Sequence, residues 1–149
     1  MFDKNTFLIT ELKQSGFTSF LNQDIQVNSY IENSKLKGLK VGDIVEVEYM
    51  FTTTYYIYGI KLLNNGISKT DFYRVDDINN TIDSKTVKII CRKFIDGELH
   101  LNDFIVSKEI FGDTELNDLI KISWTKCNTL NVISSLEEVD RVDLTQVIL

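Results

Sequence analysis

Proline and alanine are absent from this chain, histidine and tryptophan occur once each, and cysteine occurs twice. Most of these scarcities remove a class of chemistry. Cys91 and Cys127 stand without the nearby Cys or His partners that a zinc site or a disulfide framework requires. With His100 as the single imidazole, nucleophilic triads and histidine-based metal clusters are hard to assemble. A phosphate-cradling glycine loop, a Gly-x-Ser-x-Gly elbow, His-Glu-x-x-His and Cys-x-x-Cys are all missing. The chain therefore reads as a non-enzyme, with no catalytic residue, no metal and no cofactor expected. No apolar run approaches the roughly 20 residues that cross a bilayer. Asp3 and Lys4 precede only a short strand-like run without a small-residue cleavage site, so no secretory signal is expected and the expected compartment is the cytoplasm. The missing proline and alanine, set against abundant Asn, Ile, Lys, Asp and Thr, fit an AT-rich coding sequence and carry no functional information.

What is present begins with charge. The 149 residues hold 16 basic and 22 acidic side chains, a net charge of -6. That is the opposite of the basic footprint of a strong phosphate binder. Residues 1–76 carry 8 basic and 9 acidic side chains (8 - 9 = -1), and residues 77–149 carry 8 and 13 (8 - 13 = -5). The first half alone tolerates a polyanion easily. The acidic surplus of the second half reads first as a solvated face that keeps the protein soluble.

The chain also repeats itself. Val41-Gly42-Asp43-Ile44-Val45-Glu46-Val47 is answered at an offset of 75 by Leu116-Asn117-Asp118-Leu119-Ile120-Lys121-Ile122, and the match runs on to Ile57 and Val132. Upstream the letters match best at 74, with Ile25, Val27, Asn28, Tyr30, Ile31, Leu36 and Gly38 facing Leu99, Leu101, Asn102, Phe104, Ile105, Ile110 and Gly112. One residue inserted between Gly112 and Leu116 would reconcile the two registers. A repeat of this length is one folding unit duplicated. The expected division is a first repeat over 1–66, a second over 67–137 and an acidic extension over 138–149. Each unit is near the size limit for a self-sustaining core, about 70 residues.

The dominant hydrophobic period is two. Ile44 to Tyr49 and Tyr55 to Leu63, joined at Thr52-Thr53-Thr54, read as a strand pair, and Leu119 to Lys126 with Thr129 to Leu136 as its copy. One or two helical turns are expected within Ser29 to Leu36 and Asp103 to Phe111, each closed by a glycine, Gly38 or Gly112. Ahead of them come Thr6 to Lys13, Gly16 to Leu21 and Asp24 to Val27 in one unit. Asp71 to Ile78, Thr86 to Phe94 and Glu98 to Leu101 are their counterparts, with a tight turn at Asp96-Gly97. The order β-β-β-short helix-β-β predicts an all-β chain of two tandem five-stranded OB-like barrels, each with a short helical turn before strand four.

The run Gly16-Phe17-Thr18-Ser19-Phe20-Leu21, then Asp24-Ile25-Gln26-Val27-Asn28, then Ile31, Leu39 and Gly42 to Val47, resembles the cold-shock domain in order and spacing over most of residues 5–63. The likeness recurs more faintly in 70–136. The resemblance implies single-stranded nucleic-acid binding on the face of strands two and three, where aromatic rings stack on bases. Phe17 and Phe20 answer the first aromatic motif, with Thr18-Ser19 in place of one glycine. In the second motif Gln26 stands for the stacking aromatic and Asn28 for the histidine; His100 and Asn102 hold those places in the second unit. Tyr49, Phe51, Tyr55, Tyr56 and Tyr58 cluster on one hairpin, with Tyr56 and Tyr58 sharing a face and Tyr49 and Phe51 paired across the turn. They suit a base-stacking platform or a barrel-closing core equally. The expected nucleic-acid-binding residues are Phe17, Phe20, Gln26, Lys35, Lys37, Tyr56 and Tyr58, acting in a non-catalytic module of modest affinity for single-stranded RNA or DNA. The alternative is a protein-interaction or regulatory module, acting on a partner or a second copy of itself, on a scaffold that has lost its nucleic-acid face.

Overall fold

In a computed structural model residues 2–63, 65–80 and 84–139 are described, and the chain divides into two compact units, Met1–Gly66 with Cys127–Leu130 and Ile67–Lys126 with Asn131–Leu149. The expected extension over 138–149 lies outside the described residues from 140 onward, and Glu138 ends a strand. The first sheet contains β1 (Asp3–Leu12), β2 (Phe17–Leu21), β3 (Gln26–Tyr30), β4 (Ile44–Phe51) and β5 (Tyr55–Leu62), with the single turn α1 (Asn33–Leu36) before β4. The second contains β6 (Ile67–Asn79), β7 (Thr86–Ile95), β8 (Glu98–Ser107), β9 (Leu119–Cys127) and β10 (Leu130–Glu138), with α2 (Lys108–Phe111) before β9. The sheets run β3-β2-β1-β4-β5 and β10-β8-β7-β6-β9, the latter closed into a barrel. The chain is all-β, and in each sheet the first strand lies between the second and the fourth, the order of an OB barrel.

Alternation decides which side chains go inside. Phe7 and Ile9 of β1, Val45, Val47 and Tyr49 of β4, and Phe20 and Val27 make the first core, completed by Ile31 and Leu36. Tyr73, Val75, Ile89, Cys91, Phe104, Ile120, Ile122 and Trp124 belong to the second.

The two sheets share local devices that the letters alone do not display. Asn5 pairs with Val47 and Asp71 with Ile122. Asn5 Nδ2 donates to the Tyr49 hydroxyl at 2.8 Å, and Trp124 Nε1 donates to Asp71 Oδ2 at 2.8 Å. In both units the polar tip of a largely buried aromatic on the fourth strand is thus satisfied by the first strand, as burial demands. Lys93 Nζ adds an ion pair to Asp71 at 3.2 Å and lies 4.6 Å from the Tyr73 ring. The loop entering the fourth strand is likewise duplicated. Gly42 N donates to Ile9 O and Ile9 N to Asp43 O, both at 2.9 Å; Asn117 N donates to Val75 O at 2.8 Å and Val75 N to Asp118 O at 3.0 Å. Gly42 and Asn117 both have positive φ, 97° and 69°. The Asp43 carboxylate accepts from Lys40 N, and that of Asp118 from Glu115 N. Both first strands slip register at the matching place, between Ile9 and Glu11 and between Val75 and Asp77.

These anchors correct two expectations. Ile9 pairs with Phe20 and Phe20 with Val27, while Val75 pairs with Cys91 and Cys91 with Asn102. The structural counterpart of Val27 is therefore Asn102, at an offset of 75, and Leu36 and Phe111 are both buried at that same offset. No insertion separates Gly112 from Leu116. The letters match better at 74 because one period-two strand overlays another after a one-residue slip whenever both faces carry apolar residues. The helical turns are also shorter than the segments expected. β3 continues through Tyr30 and β8 through Ser107, since ladder pairs Phe17↔Tyr30 and Thr86↔Ser107 hold them extended. Helix begins only at Asn33 and at Lys108, where Ser107 Oγ accepts from Ile110 N at 3.2 Å. Asp96 and Gly97 form the expected turn, both at positive φ.

Val47 and Ile122 are wholly buried at equivalent places. Truncating either to Ala is expected to destabilise its unit by about 2 to 4 kcal/mol through lost burial and a residual cavity. Chemical denaturation checks this, and a loss under about 0.5 kcal/mol would contradict the packing.

Candidate functional site

In the first sheet β3 and β5 are the two edges. The corresponding strands of the second sheet meet in parallel at Val132↔Ile105. Between β3 and β5, Ser29 Oγ donates to Tyr55 O at 3.2 Å. The space between these edges is a groove of about 650 Å³ lined by residues of β3, α1 and β5 and by Phe17 at the start of β2.

Besides Tyr55, which packs against the core, four aromatic rings line this groove. Tyr30 is 74 % exposed, Tyr56 50 % and Tyr58 46 %, and Phe17 is half-buried. Phe17 and Tyr30 meet edge-on at 5.3 Å, and Lys13 Nζ lies 5.5 Å from the Phe17 centroid. On the other wall Phe2 packs edge-on against Tyr58 at 4.2 Å. The two tyrosines of β5 share the outward face by alternation, and the ladder slips at the second of them. Glu48 pairs with Gly59 but Tyr49 pairs with Ile57, which leaves Tyr58 as an extra residue on β5. Ile57 and Tyr55 turn inward to the core, as does Tyr49, whose ring lies 5.8 Å from Phe7. Tyr49 and Phe51 are therefore not one outward pair: the first is buried and the second exposed.

The polar complement is modest. Asn28, Ser29 and Thr54 contribute uncharged groups, Lys35 the one ammonium and Glu32 the one carboxylate among the lining residues. Neither Lys35 nor Lys37 has an ion-pair partner among the described residues.

The expected site residues separate accordingly. Phe17, Lys35, Tyr56 and Tyr58 come together on the groove. Phe20 does not: it is fully buried, 6.1 Å from the Phe7 ring, because it follows Thr18 on the inward parity of β2. It offers no face to a base. Gln26 is half-buried on β3 opposite Leu21, two alternations from Tyr30 and outside the lining, and Lys37 is exposed at the end of α1, also outside it. Tyr30 lies outside the expected set, because the spacing of Tyr30, Ile31 and Leu36 predicts a helical turn where the structure continues β3 through Tyr30. The signal was present, since Gln26, Asn28 and Tyr30 alternate with Val27, Ser29 and Ile31.

A single glycine holds the β3 wall. Ile31 N donates to Gly16 O at 2.9 Å, and a Cβ on Gly16 would come within 2.5 Å of Ile31 O. Gly16 also has φ 93°.

The second sheet has no equivalent groove lining. At the structural offset Tyr30 corresponds to Ile105, which is completely buried, and along the fifth strand, where Leu63 N bonds Ile44 O as Val139 N bonds Leu119 O, Tyr56 and Tyr58 correspond to Val132 and Ser134, so no aromatic ring stands at any of the three places. Burial pushes the Cys91 thiol up to about 12 and raises that of Cys127 as well, so neither is poised as a thiolate. Among the described residues no group of three His, Cys, Asp or Glu side chains is placed to hold a metal ion, and no helix is long and apolar enough to cross a membrane.

No family model matches the chain, and no curated protein matches it. Among solved structures it is similar to Drosophila Unr CSD456, with a TM-score of 0.38 and 10 % identity over 93 % of this chain. It spans 63 % of that chain's length. It is also similar to the Ifi202 HINa domain solved in complex with 20bp dsDNA, with a TM-score of 0.35 and 9 % identity, covering 91 % of this chain and 95 % of that one.

Two expected outcomes follow from this geometry. Gly16→Ala should cost roughly 1 to 3 kcal/mol for the left-handed backbone alone, more with the clash against Ile31, read as a lowered denaturation midpoint. The native protein at pH 8 should react with a thiol reagent only as fast as it opens. Because the folded Cys91 holds its proton more tightly than an unfolded thiol, stability should fall as pH rises from about 8.5 toward 12, a trend that Cys91→Ser in a pH series of denaturation curves should reduce.

Proposed function

We propose that the first repeat, residues 1–66, is a non-catalytic, single-stranded nucleic-acid binding module of modest affinity. The observation that carries this reading is the unclosed gap between β3 and β5, walled by Phe17, Tyr30, Tyr56 and Tyr58 with Lys35 beside them. Exposed rings at such a gap suit bases, which present flat faces whatever their identity, and one or two lysines suit a short stretch of phosphates. A duplex buries its base faces in its own stack and has nothing to give these rings. Affinity is modest because few cations are available and the chain as a whole is acidic. The second repeat is a poor candidate: it has no matching groove lining, and residues 94–149 carry 4 basic against 11 acidic side chains.

One observation favours a second reading. The edges of β3 and β5 leave backbone groups outside any ladder, and such edges accept an added strand from a partner or from a second copy of this chain.

Fluorescence anisotropy with short single-stranded oligonucleotides at about 50 mM salt, where attraction is only partly screened, separates the two. Tyr56→Ala is expected to weaken binding about fivefold or more, the loss of one stacking partner, with little change in salt slope. Lys35→Glu should weaken it and lower the slope by about one, and Lys37→Glu should do less. Absence of any binding to RNA or DNA under these conditions would leave the interaction module as the reading that stands.

A further inference from the structure

The groove carries one carboxylate among aromatic and uncharged polar groups, and Glu32 supplies it. Glu32 is exposed and has no ion-pair partner among the described residues, with Lys35 three positions later the single cation of the lining. An ionised carboxylate only accepts hydrogen bonds, and it repels phosphate. It therefore sets which side of a strand faces it. Phosphates are driven toward Lys35, and base edges toward Glu32. We infer, building on the single-strand reading above, that the groove prefers guanine, recognised through Glu32.

The chemistry of the free base edges makes the choice. Guanine presents two adjacent donors on its Watson–Crick edge, N1–H and the N2 amino group, and these match the two oxygens of a carboxylate. Cytosine and adenine place a ring-nitrogen acceptor beside their single amino group. Thymine and uracil flank their one N–H with carbonyl oxygens. Each of those acceptors opposes one carboxylate oxygen, so only guanine forms both bonds without a repulsive contact. In a duplex this edge is occupied, which joins the base preference to the preference for single strands.

The test uses full-length protein and labelled oligothymidylates of about nine nucleotides carrying one central guanine, inosine, adenine, cytosine or thymine, at about 50 mM salt. The central guanine is expected to bind about tenfold more tightly than thymine, the lower range for a bidentate base contact, with inosine, which lacks the N2 amino group, in between. Glu32→Gln, an exposed isosteric change, should bring the guanine-to-thymine ratio below about twofold while leaving oligothymidylate binding equal or stronger, since a negative charge has gone. Free guanosine monophosphate at the oligonucleotide's concentration should not displace the strand; equal displacement would overturn strand recognition in favour of a mononucleotide pocket. Oligonucleotide binding that Tyr56→Ala weakens but that shows no guanine preference, or a preference that survives Glu32→Gln, would overturn this inference and leave the single-strand reading standing. No binding of any oligonucleotide would overturn both.

Discussion

Whether the fifth strand bonds to the third is the constraint on which the rest of this molecule turns. In the second sheet it does, at Val132 and Ile105, and the seam is filled with buried Ile105, Asn131 and Ile133. In the first, β3 and β5 are unpaired edges with the Ser29 hydroxyl bonded to Tyr55 O, and Tyr30, Tyr56 and Tyr58 stand where the second sheet has Ile105, Val132 and Ser134. The same strand order thus yields a sealed barrel once and a gap with aromatic walls once. An unpaired edge is normally a liability that proteins cover; here large rings and a crossing chain at Gly16 occupy its flanks.

Around that difference, the shared parts of the two sheets are the ones that fix the first strand to the fourth. A polar residue at position 5 or 71 satisfies the aromatic at 49 or 124, and an aspartate-closed loop hooks its backbone to residue 9 or 75. The identities drift between Asn and Asp, Tyr and Trp, Gly and Asn, while the bonds remain. Such replacements work because each keeps a donor facing an acceptor, the condition that burial imposes. The first-to-fourth pairing is the common frame, and the third-to-fifth seam is where the copies depart.

Much of this architecture was legible in the letters, and the groove only partly. Strand pairs at 44–63 and 119–136, the glycine-closed turns and the Asp96-Gly97 hairpin declare themselves through period-two alternation and turn chemistry. The register of the upstream repeat did not, because apolar residues on both faces of β3 and β8 make a one-residue slip invisible until backbone pairing is known. Tyr56, Tyr58, Phe17 and Lys35 could be named from exposure parity and family likeness. Phe20 was misplaced since nothing local tells which of two phenylalanines three apart on a short strand faces in. Tyr30 was hidden by reading Ile31 and Leu36 as helical spacing, although the helix starts only at Asn33. Glu32 gave no local signal of its own; its position on the groove depends on where β5 comes to lie.

The slip in the β4–β5 ladder gives the groove a separable character. Tyr58 is the surplus residue there, with Gly59 already opposite Glu48 and Ile57 opposite Tyr49. A chain one residue shorter at that point would run an uninterrupted ladder with Tyr55, Ile57 and Ile60 still facing the core. Ring and core are therefore inherited separately: a single-codon deletion can subtract half of the β5 aromatic wall without touching the interior, and a single-codon insertion can add it. An exposed ring placed on a bulge is open to loss or gain without the repacking that a change in the strands beneath it would require.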